Sequence, residues 1–210
     1  MPGIKHFEFN NEAVLENITT KTAAVIIEPV QGEAGYIPAK KSFLVKLKAR
    51  CKEVGALLIF DEIQTGMGRS GHWFAMLGYG VTPNIVVLAK GLGGGMPIGA
   101  FISSKKIMDV LKQNPILGHI TTFGGHPVSC AAAKAAIEVI ENENLMVGIF
   151  EKEALFRKLL VHPKIKTVNG TGLMLAVDLG SFELVEKTMH RCLERGLITD
   201  WFLFNANSLR

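Results

Sequence analysis

Lys90 and Asp61 are the two residues of this sequence best placed to do chemistry together. Residues 56–60, ALLIF, deliver the carboxylate of Asp61; residues 85–89, IVVLA, deliver the amine of Lys90, which glycines follow at once. Both runs are short and aliphatic or β-branched, the texture of buried strands. Ligands of open α/β sheets bind just outside the carboxyl ends of the strands, so two strands ending in opposite charges point to one shared site. A lysine at the end of a buried strand is expected to lose hydration, which favours the neutral amine needed to form a Schiff base with a carbonyl. Taken singly, either residue reads as an ordinary surface or salt-bridging charge. Lying 29 positions apart and each closing an apolar strand, they favour a site.

Other chemistries lack their residues. Gly66, Gly68 and Gly71 satisfy G-x-G-x-x-G, but residues 61–65 separate them from the strand, and no acid follows at the distance that dinucleotide binding requires. LLIFDE resembles the acidic strand end of P-loop NTPases, yet no G-x-x-x-x-G-K-[ST] segment exists to cradle phosphates. The six histidines form no H-E-x-x-H and no cysteines pair at zinc spacing, so no metal site is expected. A G-x-S-x-G nucleophile elbow is absent too.

The elements that must position Asp61 and Lys90 alternate along the chain. Residues 11–18 read as a short helix opening on Asn11. Residues 23–27, AAVII, read as a strand stopped by Glu28-Pro29, with the loop EPVQGEAGY carrying a second acid, Glu33. A helix over 41–54 puts Leu44, Leu47, Cys51 and Val54 on one face and ends at Gly55, suited to a left-handed cap. After Lys90 the run GLGGGMPIG cannot be regular structure, and its glycines permit positive φ or close approach. A strand over 98–103, a helix over 104–111 and the irregular GHITTFGGHP follow, then an alanine-rich helix with Pro127 at its first turn. Beyond it come a helix over 145–160, strands near 165–168 and 172–179, an amphipathic helix over 183–195 and a strand over 197–202. Strands alternating with helices argue for a largely parallel α/β sheet with covered faces. The texture changes near residue 145, so 1–145 is read as part of a large domain and 146–210 as part of a small one.

Composition narrows the setting. Apolar residues make up 48% and charged residues 20% of 210, ordinary for a globular chain. The net charge of +4 and pI near 9.0 come from dispersed Lys and Arg, poor support for nucleic acid and compatible with anionic small molecules. Cys51, Cys130 and Cys192 are odd in number and far apart, and read as core thiols of a reducing compartment. With no run of membrane-spanning length and no signal-peptide pattern at residues 1–11, a cytoplasmic protein is expected.

Pyridoxal 5'-phosphate is the cofactor that asks for both residues: a lysine for its carbonyl and a carboxylate for its pyridine nitrogen, whose protonation makes the ring an electron sink. The blocks IIEPVQGEAGY, LLIFDEIQTGMGRSG, VVLAKGLGGGMPIGA and TTFGGHPVSCAAA together resemble the class III pyridoxal-phosphate aminotransferases of the ornithine and acetylornithine type. The resemblance spans nearly the whole chain, and four ordered blocks at the right spacing are highly specific. It implies fold type I: a mostly parallel sheet with helices on both faces, plus part of a small C-terminal α/β domain. Lys90 is then implied as the residue that forms the Schiff base and moves protons, and Asp61 as the holder of the pyridinium. Gln64 would bond the phenolic oxygen, Ile63 would pack on the ring, and Thr122 would reach the cofactor phosphate of a neighbouring subunit, making a homodimer with a shared site.

Glu33 carries the substrate expectation. By the same resemblance it pairs with a substrate-binding arginine in one half-reaction and releases it to a substrate carboxylate in the other, because an unpaired arginine in a closed pocket is costly. Arg210 falls where that arginine is expected. GLGGGMPIGA is closer to the acetylornithine type than to the ornithine or 4-aminobutyrate types. The implied reaction moves an amino group from an ω-amino donor, acetylornithine or ornithine, to 2-oxoglutarate. An aminomutase, a decarboxylase or a non-catalytic fragment of the same fold are the alternatives, Glu33 counting against the aminomutase. Family members are longer. The chain is therefore expected to be a fragment without their N-terminal part, which supplies phosphate-binding and ring-stacking groups, and without the end of their C-terminal domain.

Overall fold

The computed structural model describes residues 3–116 and 118–210. Its first sheet has the order β1 (Ala24–Ile27), β4 (Leu57–Asp61), β5 (Ile85–Leu88), β6 (Ala100–Ser103). The first three strands are parallel and β6 joins antiparallel, with Phe60 opposite Val86 and Asp61 opposite Val87. Between them run the two-residue strands β2 (Val30–Gln31) and β3 (Ile37–Pro38), helix α1 (Lys41–Val54) and the short α2 (Ala75–Tyr79). A single turn, α3 (Lys105–Met108), follows, and then α4 (Pro127–Asn142) and α5 (Ile149–Leu159). The second sheet is antiparallel, ordered β7 (Thr167–Thr171), β8 (Met174–Asp178), β10 (Asn205–Leu209), β9 (Trp201–Phe202), with α6 (Phe182–Glu194) between β8 and β9.

Period-two burial decides how the first sheet packs. Leu58 and Phe60 are fully buried against Phe43, Leu44, Leu47 and Cys51 of α1. Val86 and Leu88, on the same face, pack with Leu92 and with Ala133 of α4. Burying a side chain of this size stabilises by about 1.5–3 kcal/mol. Among the described residues α1, α2 and α4 pack on the face that carries Leu58, Phe60, Val86 and Leu88. The other face carries Ile26 and Phe101, exposed by 65% and 47%. Asn84 locks β4 to β5: its Oδ1 accepts the Leu58 N–H at 2.9 Å and Lys48 Nζ at 3.1 Å.

Local chemistry sets the boundaries. Asn11 caps the first turn by accepting the Ala13 N–H at 3.0 Å, and Gly55 ends α1 at φ 82°. Ser181 caps α6 through the Leu184 N–H. The strand expected over 98–103 starts at Ala100, and the helix expected from 145 starts at Ile149, after the turn residue Gly148 at φ 78°. The strand expected over 197–202 is only Trp201–Phe202, because its hydrogen bonds go to a second strand, β10, whose polar residues gave no apolar pattern to read. The cysteine expectation is corrected in part: Cys51 is buried, Cys192 is half-buried and Cys130 is exposed on α4.

The second sheet packs on loops that lead out of the strands of the first half of the chain. Gly172, in the β7–β8 turn, sits against the backbone of Arg69, Ser70 and Gly71, and the Leu173 N–H donates to the Arg69 carbonyl at 3.0 Å. The β9–β10 turn rests on the loop after β2: the Phe204 N–H donates to the Glu33 carbonyl at 3.0 Å and Asn205 Nδ2 to Ala34 at 3.2 Å. The Tyr36 and Phe202 rings meet edge to face at 4.7 Å.

Candidate active site

The carboxyl ends of β1, β4 and β5 carry Glu28, Asp61 and, one residue further, Ala89 and Lys90. The strand alternation places Asp61 on the face away from α1, where its Oδ1 accepts the Ile63 N–H at 3.0 Å and starts a turn. Lys90 leaves the line of β5. Ala89 adopts φ −163°, ψ −147°, and Lys90 turns to φ 46° at the head of a 3-10 segment. The amine is exposed rather than buried, which corrects the expected loss of hydration. That exposure leaves it open to a ligand.

A cavity of about 350 Å³ opens beside it, within the range of small-molecule sites. Lys90, Ile63, Gln64, Glu33 and Arg210 all line it, joined by Tyr36, Met67 and Arg69. Five of the seven site residues read from the sequence thus meet at one pocket. Asp61 lies at the neighbouring strand end without reaching the lining, and Thr122 lies elsewhere, exposed in the turn region before α4. Among the described residues six non-glycine residues have positive φ; the three that are not asparagine, Tyr36, Met67 and Lys90, all line this cavity. Such conformations cost about 1–3 kcal/mol each and concentrate where geometry serves a site.

Glu33 is the hub of the polar contacts. Its Oε1 accepts both Gln64 Nε2 at 3.0 Å and Arg210 Nη1 at 2.9 Å, and its Oε2 accepts the Leu203 N–H at 3.2 Å. Burial works to raise its carboxyl, but the bonds from Gln64, Leu203 and Arg210 outweigh it and hold the group below its ordinary value. Arg210 also donates through Nη2 to Asp200 Oδ2 at 2.9 Å and lies 5.6 Å from the Phe202 ring centre. Burial opposes its charge, and Asp200 and Glu33 more than restore it, so its pKa is raised.

Two acids beside the site were given no role by the sequence reading. Glu28 accepts the Gly32 N–H at 2.9 Å. Burial pushes its carboxyl above the ordinary value, helped by Asp61 and Glu33 and opposed by the Gly32 N–H and Lys90. The signal was present, since the strand before Pro29 ends in this acid just as its neighbour ends in Asp61. Glu62 is fully buried and accepts three bonds, from Thr65 Oγ1 at 2.6 Å, Ala75 N–H at 2.7 Å and Met76 N–H at 2.8 Å. It pins the start of α2 and so fixes residues 63–74, which present Ile63, Gln64, Met67 and Arg69. No sequence signal separates it from a surface acid.

The chain resembles known proteins over its whole length. It is 45% identical to the acetylornithine aminotransferase of Methanocaldococcus jannaschii, over 99% of this chain and 51% of that protein. It is 37% identical to the putrescine aminotransferase of Pectobacterium atrosepticum, over 100% of this chain and 48% of that protein. Among solved structures, the ornithine aminotransferase of Toxoplasma gondii, described with partial occupancy of PLP at its active site, superposes with a TM-score of 0.90 at 32% identity, covering 100% of this chain and 50% of that one. The chain spans about half the length of the relatives it matches. The family profile described as "Aminotransferase class-III" matches residues 5–205, and with the amine, amide and ion pair gathered at one pocket this places the chain in the class III aminotransferases, a pyridoxal-phosphate family.

Proposed function

We propose that the protein carrying this chain is an aminotransferase that takes an amino group from an ω-amino donor, acetylornithine or ornithine, and passes it to 2-oxoglutarate, working in the cytoplasm as a homodimer. The single observation that carries the reading is the convergence of Lys90, Gln64, Ile63, Glu33 and Arg210 on one pocket. The relatives' names support the donor class: they are aminotransferases of acetylornithine, succinylornithine, ornithine and putrescine.

The residues present fit pyridoxal phosphate. When bound, the cofactor supplies an electrophilic carbonyl and an electron-withdrawing ring. Lys90 would hold it and carry a proton to and from the substrate carbon, its exposed amine being free to approach. Asp61 would offer a negative charge to the ring nitrogen, fixed by the Ile63 N–H. Gln64, which already donates to Glu33, would supply an amide to the ring oxygen, and Ile63 an apolar surface. Thr122, exposed away from this pocket, would serve the phosphate in a second copy's site. Arg210 would take a substrate carboxylate when Glu33 releases it; Glu33 keeps Gln64 and Leu203 as donors when that happens.

Borohydride trapping of added pyridoxal phosphate, followed by peptide mapping, tests the assignment. Label on Lys90 that is absent from K90A, together with glutamate formation from acetylornithine and 2-oxoglutarate, is expected. Label scattered over surface lysines, or a K90A protein that transaminates as fast as the parent, would refute it.

A further inference from the structure

We propose that Asp200 is the positioning residue that keeps Arg210 aimed at the pocket, so that the guanidinium can exchange Glu33 for a substrate carboxylate without losing its place. The inference rests on the reading of Arg210 as the carboxylate site. It comes from the unequal way in which the two acidic partners of Arg210 are held.

Asp200 is pinned. It faces Arg210 across a strand pair, the Asp200 N–H donating to the Arg210 carbonyl at 3.2 Å and the Arg210 N–H to the Asp200 carbonyl at 2.8 Å. Its Oδ1 accepts the Trp201 N–H at 2.9 Å, which fixes the carboxylate, and its Oδ2 accepts Arg210 Nη2 at 2.9 Å. Glu33 sits on a loop 177 positions away and meets the other arm, Nη1, at 2.9 Å. Its remaining donors, Gln64 and Leu203, satisfy it without the arginine. One arm of the guanidinium is thus committed to a fixed anchor and the other to an exchangeable partner. An arginine side chain is costly to order, and the Asp200 bond with the Phe202 ring orders it before any ligand arrives.

Charge alone predicts the opposite behaviour. Asp200 places a negative charge beside an anion site, so removing it should tighten anion binding if electrostatics were its only role. The sign of the effect therefore separates positioning from charge.

The test is a calorimetric titration of glutarate into the purified protein, with pyridoxal phosphate present, for the parent, E33Q, D200N, D200A and D200S. E33Q keeps an oxygen but loses the charge that makes Glu33 the stronger competitor for Nη1, and is expected to tighten binding. D200N keeps an oxygen for Nη2 and is expected to bind within about twofold of the parent. D200A, and D200S whose oxygen is one bond too short, are expected to bind about three- to tenfold more weakly, as a partly disordered arginine requires. Asp200 is exposed and its strand pairing uses only backbone groups, so these variants keep the fold. If E33Q tightens binding while D200A or D200S binds as tightly as the parent, the inference is overturned and the Arg210 reading stands. If neither parent nor E33Q binds glutarate, the Arg210 reading falls and takes the inference with it.

Discussion

Replacing Glu62 with alanine is expected to destabilise the protein by about 3–5 kcal/mol, a large part of the roughly 5–15 kcal/mol by which a domain is stable. The carboxylate is fully buried and takes three donors, Thr65 Oγ1, Ala75 N–H and Met76 N–H, at 2.6, 2.7 and 2.8 Å. Each buried donor left without an acceptor costs about 1–3 kcal/mol, and water entering the space left by the side chain holds the sum toward its lower end. E62Q tests the count. Its single oxygen can serve Thr65 and Ala75, but its amide then faces the Met76 N–H, donor against donor, for a cost of about 1–3 kcal/mol. Urea unfolding followed by circular dichroism and by the fluorescence of Trp73 and Trp201 measures both. With a slope of about 2–3 kcal/mol per molar, E62A should move the midpoint down by about 1–2 M and E62Q by roughly half as much. Because residues 63–69 carry Ile63, Gln64, Met67 and Arg69 to the pocket, E62A should also lower the yield of cofactor trapped on Lys90. An E62A protein within about 0.5 kcal/mol of the parent, the range of featureless surface changes, would refute the reasoning, as would E62Q proving no milder than E62A.

Two further perturbations follow from the same geometry. G172A places a Cβ 2.6 Å from the Ser70 carbonyl carbon and 2.8 Å from the Arg69 carbonyl oxygen, at φ 58°, so it should cost about 2–3 kcal/mol and loosen the second sheet from the pocket; unchanged thermal unfolding would contradict this. Glu28 has a folded pKa raised above its ordinary 4.5, so the stability it contributes is fully present below about pH 4.5 and lost as pH rises through the folded value. E28Q keeps an oxygen for the Gly32 N–H and should therefore be more stable than the parent at pH 7, with the advantage vanishing by about pH 4. An advantage of equal size at both pH values in thermal scans would refute it.

The strand-end logic was legible because it rests on short-range signals. Apolar runs closing in Asp61 and Lys90 defined adjacent parallel strands, and Gly55 and Pro127 marked helix ends by conformations that few other residues supply. What escaped depends on contacts distant in sequence. Nothing in VVLAKG requires the left-handed φ of Lys90 or its exposure. Strand β10, NANSL, is recognisable only through its pairing with β8 and β9. Glu62 differs from any surface glutamate only because α2 turns its first N–H groups toward it. Asp200 becomes relevant only when Arg210 lies across the ladder from it.

The ion pair between Glu33 and Arg210 joins residues 177 positions apart. Closing so long a loop delays the contact until most of the intervening structure is in place, since distant pairings form slowly and only after their loop entropy has been offset by nearer ones. During synthesis at about 5–20 residues per second, Glu33 emerges on the order of ten seconds before Arg210 does. The first sheet can therefore assemble around Lys90 and Asp61 while the Arg210 side of the pocket is still missing. A protein truncated or stalled late would carry its amine in place and lack the guanidinium that lines the same pocket.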